Sequence, residues 1–176
     1  MAQIRFHETN ERISDAGEVA KYLEKQGVIY ERWDISRLQG NLKEEYALTD
    51  EQKQQIIDLF KSEIDALSEK RGYKTSDIVV LSDKTPNLEQ LLDMFRKEHH
   101  HSEDEVRFIV DGHGIFAIKG PKDGVYFDVE LEAGDLISVP NGTRHWFTLM
   151  EDRKVKAIRI FTSTEGWAAI YDQPGY

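Results

Sequence analysis

Between residues 105 and 161 the chain resolves into short β-type runs at nearly even spacing, and this pattern limits the fold more than any other feature. The runs are Glu105 to Asp111, Gly114 to Ile118, Val125 to Leu131, Leu136 to Val139, His145 to Met150 and Val155 to Phe161. Turn signals separate them at Asp111-Gly112, Asp123-Gly124, Ala133-Gly134 and Asn141-Gly142, where glycine supplies backbone conformations that a Cβ disfavours. Even, short strands without intervening helices predict a small barrel or jelly-roll sandwich rather than a parallel α/β sheet. Before residue 97 the period changes. Val19, Tyr22 and Leu23 predict a helix over Asp15 to Lys25, and Ile56, Ile57, Phe60, Ile64 and Leu67 predict one over Thr49 to Lys70. Thr49 with Gln52 makes a capping box for the latter, and Gly72 stands where a left-handed cap belongs. Asn87 with Gln90 opens a third helix to Lys97, while Gln3 to His7, Val28 to Trp33 and Asp77 to Leu81 are predicted strands. The expected class is therefore mainly β with helices (α+β), the helical half packed on the β half, since no repeat or Pro/Gly-rich linker divides them.

The composition removes whole classes of function. With 33 acidic against 23 basic residues the formal charge is −10, and a phosphate-backbone binder needs a basic face, so no nucleic-acid partner is expected. Cysteine is absent, which excludes disulfides, thiolate zinc, iron–sulfur clusters and thiol nucleophiles. The start, MAQIRFHETN, carries no apolar signal core, and no stretch approaches 18 apolar residues. A cytoplasmic location and no membrane association are the expectations. Nothing reads as an interface helix or zipper, so a monomer is expected.

Three of the six histidines are consecutive, His99, His100 and His101. In an extended chain alternate residues share a face. His99 and His101 then point one way, and continued parity puts Glu105 and Arg107 with them, leaving His100, Val106, Phe108 and Val110 on the other side. Two imidazoles and a carboxylate in a common direction form half of a divalent-metal site, and a further ligand must come from elsewhere. His7 and His113 have no such context and read as structural.

The surrounding text reads His99-x-His101-x3-Glu105-x6-Gly112, then Gly134-x5-Pro140-x-Gly142-x2-His145. These resemble the two cupin motifs with every metal-ligand position filled; Asp93 and Leu149 stand where that family usually has Gly and Asn. A narrower resemblance is to the acireductone dioxygenases, bacterial type. It is carried by Glu98 to Gly112, by Ser138 to Phe147, and by the flanking Val28 to Asp34, Arg71-Gly-Tyr73 and Thr164-Glu-Gly-Trp167. It implies a single cupin-type domain over 1–176: a helix-rich portion at 1–97, a jelly-roll β-barrel with the metal site at 98–163, and a closing segment at 164–176.

The resemblance implies a metal-dependent dioxygenase of methionine salvage with acireductone (1,2-dihydroxy-3-keto-5-methylthiopentene) and O2 as its small-molecule partners. In that family Fe(2+) gives formate and 2-keto-4-methylthiobutyrate, whereas Ni(2+) gives methylthiopropionate, formate and CO. Fe(2+) is the default here, one ion per chain. Carried over by motif, the ligands are His99, His101, Glu105 and His145. Arg107, on the ligand face, is assigned the catalytic role of pairing with the substrate's anionic oxygens. Phe147 and Trp167 are expected to wall the methylthio pocket, with Arg159 a second cation near the substrate. The alternatives are another metal cupin, such as a quercetinase-like dioxygenase or an isomerase, and a non-catalytic cupin that binds a small molecule.

Overall fold

In the computed structural model, residues 1–163 and 168–171 are described. In chain order the elements are β1 (Gln3–Phe6), β2 (Arg12–Ile13), α1 (Ala16–Lys25), β3 (Ile29–Arg32), α2 (Asn41–Glu44), α3 (Asp50–Leu59), α4 (Lys61–Arg71) and β4 (Thr75–Leu81). There follow α5 (Leu88–Phe95), β5 (His99–His100), β6 (Glu105–Lys119), β7 (Tyr126–Glu132), β8 (Asp135–Val139), β9 (His145–Thr148), β10 (Val155–Phe161) and β11 (Ile170–Tyr171).

The barrel is built around β6, which belongs to two antiparallel layers at once. Its first half pairs with β8 through Glu105–Phe108 and with β10 through Val106–Gly112. Its second half pairs with β7 and β9. One layer runs β11-β5-β9-β6-β7-β1-β2, and the other runs β3-β8-β6-β10-β4. This is the small barrel that the strand spacing predicts and, with its helices, the cupin-type α+β fold that the motif resemblance implies.

The two expected runs on either side of Asp111-Gly112 are thus one fifteen-residue strand. Asp111-Gly112 makes a bend within it and not a hairpin. Gly112 has φ +77°, and a Cβ there would overlap the Lys154 carbonyl, so only glycine fits. Beside it the register with β10 shifts: Lys156 faces Asp111 but Ala157 faces Ile109, leaving Val110 as the extra residue of a bulge. One extra residue exchanges the faces of everything that follows. Glu105, Arg107 and Ile109 face the barrel interior up to the bulge; beyond it Gly114, Phe116 and Ile118 do. The parity read from sequence therefore holds through Val110 and reverses after it.

Two apolar clusters follow from this. Inside the barrel Ile109, Phe116, Ile118, Phe127, Val129, Ile137, Val139, Phe147 and Ala157 are buried, and Val19 and Leu23 of α1 and Leu88 and Leu92 of α5 join the same cluster. Outside, Val106, Phe108, Val110, Leu136, Ile158 and Ile160 meet Ile56, Phe60, Ile64 and Leu67. The helical half lies on the β half as expected, which is why β6 is apolar on both faces.

Three helix details differ from the sequence reading. The helix expected over Thr49 to Lys70 is two helices broken at Phe60, whose φ of −110° and ψ of 16° leave the helical region. The break lets the Phe60 ring, fully buried, meet Phe108 edge-on at 5.0 Å, and burial of an aromatic of this size outweighs the lost helical hydrogen bonds. The capping box at Thr49 and the left-handed cap at Gly72 are both present. The box expected at Asn87 does not form: Asn87 takes φ +59° and makes no side-chain cap, a conformation that asparagine tolerates. Nor did the sequence disclose α2 and β2, which have four and two residues.

Candidate metal centre

His99 ends the segment that leaves α5 and lies directly opposite His145, across β5 and β9. His101 follows one residue after β5, and Glu105 opens β6. Four side chains from three strand ends thus converge at the mouth of the barrel. All four are buried, and one potential ligand atom from each lies within 4.8 Å of the others. Their rings pack closely, with centroids 4.6 Å apart for His99 and His145 and 5.4 Å for His101 and His145.

The backbone decides which nitrogen each imidazole offers. His99 Nδ1 donates to the Lys97 carbonyl at 2.6 Å, and His145 Nδ1 donates to the Thr143 carbonyl at 2.8 Å. A carbonyl only accepts, so the proton resides on Nδ1 and Nε2 keeps its lone pair for the centre. Glu105 Oε2 then sits 3.2 Å from His101 Nε2 and in close contact with His145 Nε2. The His145 lone pair facing a buried carboxylate repels it unless a cation lies between them. Three imidazoles and a carboxylate suit a borderline divalent ion of the first transition row, so the residues present fit a metal. The titration directions report the same electrostatics. Burial would push the Glu105 carboxyl up, but His145 and Arg107 hold it well below the usual carboxylate range. Burial pulls His145 down, and the charge of Glu105 reverses that and raises it; His99, desolvated beside His145, is lowered.

A cavity of about 110 Å³ opens over His99, His101 and Glu105, and Arg107, Arg159, Phe95, Met94 and Tyr171 share its lining with them. Larger concavities lie beside His7 and Trp146 and beside Arg5 and Met150; among the described residues no ligand set converges in either. Arg107 is buried, with Nη2 3.1 Å from Glu105 Oε1, and its guanidinium lies 5.3 Å from the Phe147 ring centre and 5.7 Å from that of Phe116. Arg159 sits directly opposite Arg107 in the next strand. Phe147 is in the apolar interior beneath Arg107, against Phe116 at 5.1 Å and Phe95 at 6.3 Å, so it backs the arginine rather than lining the cavity. Trp167 lies outside the described residues.

Glu98 accepts from the Tyr126 hydroxyl at 2.6 Å, and the Nδ1 protons of His99 and His145 go to backbone carbonyls. Phe95 and Tyr171 were not singled out in the sequence. For Phe95 the only available signal is its place at the end of an amphipathic helix four residues before His99. Tyr171 depends on the pairing of β11 with β5, which no local pattern announces.

The model of the ARD/ARD' family matches residues 3–169. The chain is 61% identical over 171 residues to the acireductone dioxygenase of Bacillus cereus (strain ATCC 10987 / NRS 248), covering 97% of this chain and 100% of that one. To the acireductone dioxygenase of Bacillus licheniformis it is 60% identical over 174 residues, covering 98% and 97%. Among solved structures, that of the acireductone dioxygenase from Bacillus anthracis with a cadmium ion in its active centre is similar at a TM-score of 0.93 and 60% identity, covering 97% of this chain and 98% of that one. With a match that runs from residue 3 to residue 169, through the helical half and the metal-ligand set alike, the chain belongs to the ARD/ARD' family.

Proposed function

We propose that this protein is an acireductone dioxygenase of methionine salvage, with its metal held by His99, His101, Glu105 and His145 and Fe(2+) as the working ion. The observation that carries the reading is the convergence of four buried ligands inside a fold shared at 0.93 with a metal-bound relative. A divalent ion held by these four residues would supply a Lewis-acid centre for an ene-diolate substrate.

The chain's own residues do the rest. Glu105 brings one negative charge, so the ligand set leaves a divalent ion with a net charge of about +1, suited to an anionic substrate. Arg107 and Arg159 supply further positive charge from the cavity wall and favour the ionised, electron-rich form of the substrate, the form that reacts with O2. Phe95 and Met94 offer an apolar wall for a thioether tail, with Phe147 packed against Phe95 from behind. Burial of the four ligands excludes bulk water from the metal face. The protein's charge of −10 does not defeat anion entry, because screening over about 8 Å at physiological salt leaves the local cations to decide.

The test is turnover of acireductone by the metal-loaded protein, with O2 uptake and products followed together. The keto acid is the expected product of the iron-loaded protein, and CO with methylthiopropionate that of the nickel-loaded one. Consumption of a flavonol but not of acireductone would instead support a different metal cupin.

A further inference from the structure

Asp77, Arg159 and Arg107 stand directly opposite one another across β4, β10 and β6. They form one row of charge on the inner face of the barrel. The next row inward, Val79, Ala157 and Ile109, is apolar and belongs to the interior cluster. Two guanidiniums side by side repel, and each is held by its own carboxylate. Arg107 has Glu105 at 3.1 Å. Arg159 has Asp77, whose Oδ1 accepts from Nε at 2.7 Å and whose Oδ2 accepts from Nη2. The second pair is the two-pronged arrangement that fixes the plane of a guanidinium as well as its place. Arg159 lines the cavity above the metal ligands; Asp77 is not among the lining residues.

We propose that Asp77 is a positioning residue, which clamps the Arg159 fork in the plane that receives the anionic oxygen of the bound substrate. The proposal rests on the acireductone reading above. Two roles for Asp77 predict opposite signs. As a mere counter-charge it would weaken anion binding, and its neutralisation would lower KM. As a clamp it strengthens binding, and its neutralisation frees a long side chain and raises KM. The pair is partly solvated, with Asp77 44% and Arg159 31% exposed, so the counter-charge effect is small. Loss of a two-pronged geometry at the substrate is the larger effect.

The experiment is steady-state kinetics of the metal-loaded protein with acireductone for Asp77→Asn, Asp77→Glu, Arg159→Met and the Asp77→Asn, Arg159→Met double variant. Expected for Asp77→Asn is a KM raised roughly tenfold with kcat changed less than about threefold, because binding common to ground and transition states is lost. Metal content should stay at the wild-type level. In the Arg159→Met background the same change should do nothing further, since the clamp has nothing left to hold. A readout independent of turnover is the Arg159 Nε–H resonance, slow to exchange in the wild type and fast in Asp77→Asn. If Asp77→Asn loses its fold, Asp77→Glu carries the test, with KM displaced the same way by less. An unchanged or lowered KM, an equal rise in the Arg159→Met background, or an unaltered Nε–H signal would overturn the proposal. A wild-type protein that ignores acireductone would overturn the proposed activity along with it. An active wild type with an indifferent Asp77→Asn overturns this inference alone.

Discussion

At the scale of single residues, the site depends on carbonyls choosing tautomers. Because Lys97 and Thr143 hold the Nδ1 protons of His99 and His145, both rings present Nε2 inward before any ion arrives. Removing a ligand should cost more than the roughly 10–100-fold in metal affinity that loss of an outer partner costs. His99→Ala and Glu105→Ala are therefore expected to purify with far less than one metal per chain, checked by elemental analysis, while keeping their far-UV spectra. Full metal content and turnover in either variant would remove the residue from the site. Alternation put His99, His101, Glu105 and Arg107 on one face in the sequence, although the chain bends at Ser102 and Glu103 between β5 and β6; the motif resemblance supplied the ligand set, His145 included. Asp77 was not legible as a partner of Arg159, because cross-strand register between β4 and β10 leaves no local signature.

Tyr30 tests the electrostatics elsewhere. Burial, and then its hydrogen bond to Asp135, push its hydroxyl up to about 12 from 10. The folded protein thus keeps a proton that the unfolded chain loses first. The stabilisation is complete below pH 10 and fades as the pH climbs from 10 towards 12. Thermal melts between pH 8 and 11 should fall less steeply for Tyr30→Phe than for the wild type; parallel curves would contradict this.

Among the elements, β6 decides the architecture, and Gly114 is its most exposed point of failure. Gly114 lies on the inward face just past the bend, and a Cβ there would stand 2.6 Å from the Phe147 ring. Since φ is ordinary at this position, the obstacle is steric. Gly114→Ala should destabilise the protein by about 1–3 kcal/mol in denaturant unfolding, whereas Gly142→Ala, with open space around its Cβ, is opposed only by its backbone angle. A loss at Gly114 below about 0.5 kcal/mol would show that Phe147 is free to move. Element types were readable from periodicity, but their junctions were not. Asp111-Gly112 has the composition of a hairpin turn, and only the bulge at Val110 reveals a strand that continues. Likewise the stripe from Ile56 to Leu67 is continuous in sequence, and the break at Phe60 answers to Phe108, forty-eight residues away.

For the whole molecule, the metal couples stability to function. An ion that binds only the folded chain stabilises it by about 4 kcal/mol at a thousandfold excess over its Kd. At this size each kcal/mol moves the midpoint by roughly 2–4 °C, so chelation should lower Tm by about 10 °C and readdition of the ion should restore it. No change on chelation would mean that the four ligands are held by the protein alone. The absence of cysteine agrees with an all-nitrogen-and-oxygen centre that works beside O2.

The dioxygenase activity is tested most directly by the fate of ¹⁸O2 during acireductone turnover by the iron-loaded protein. Both labelled atoms are expected in the organic products, with activity lost in Glu105→Ala. Label recovered in peroxide or water, or equal incorporation with Glu105→Ala, would contradict that activity at this site.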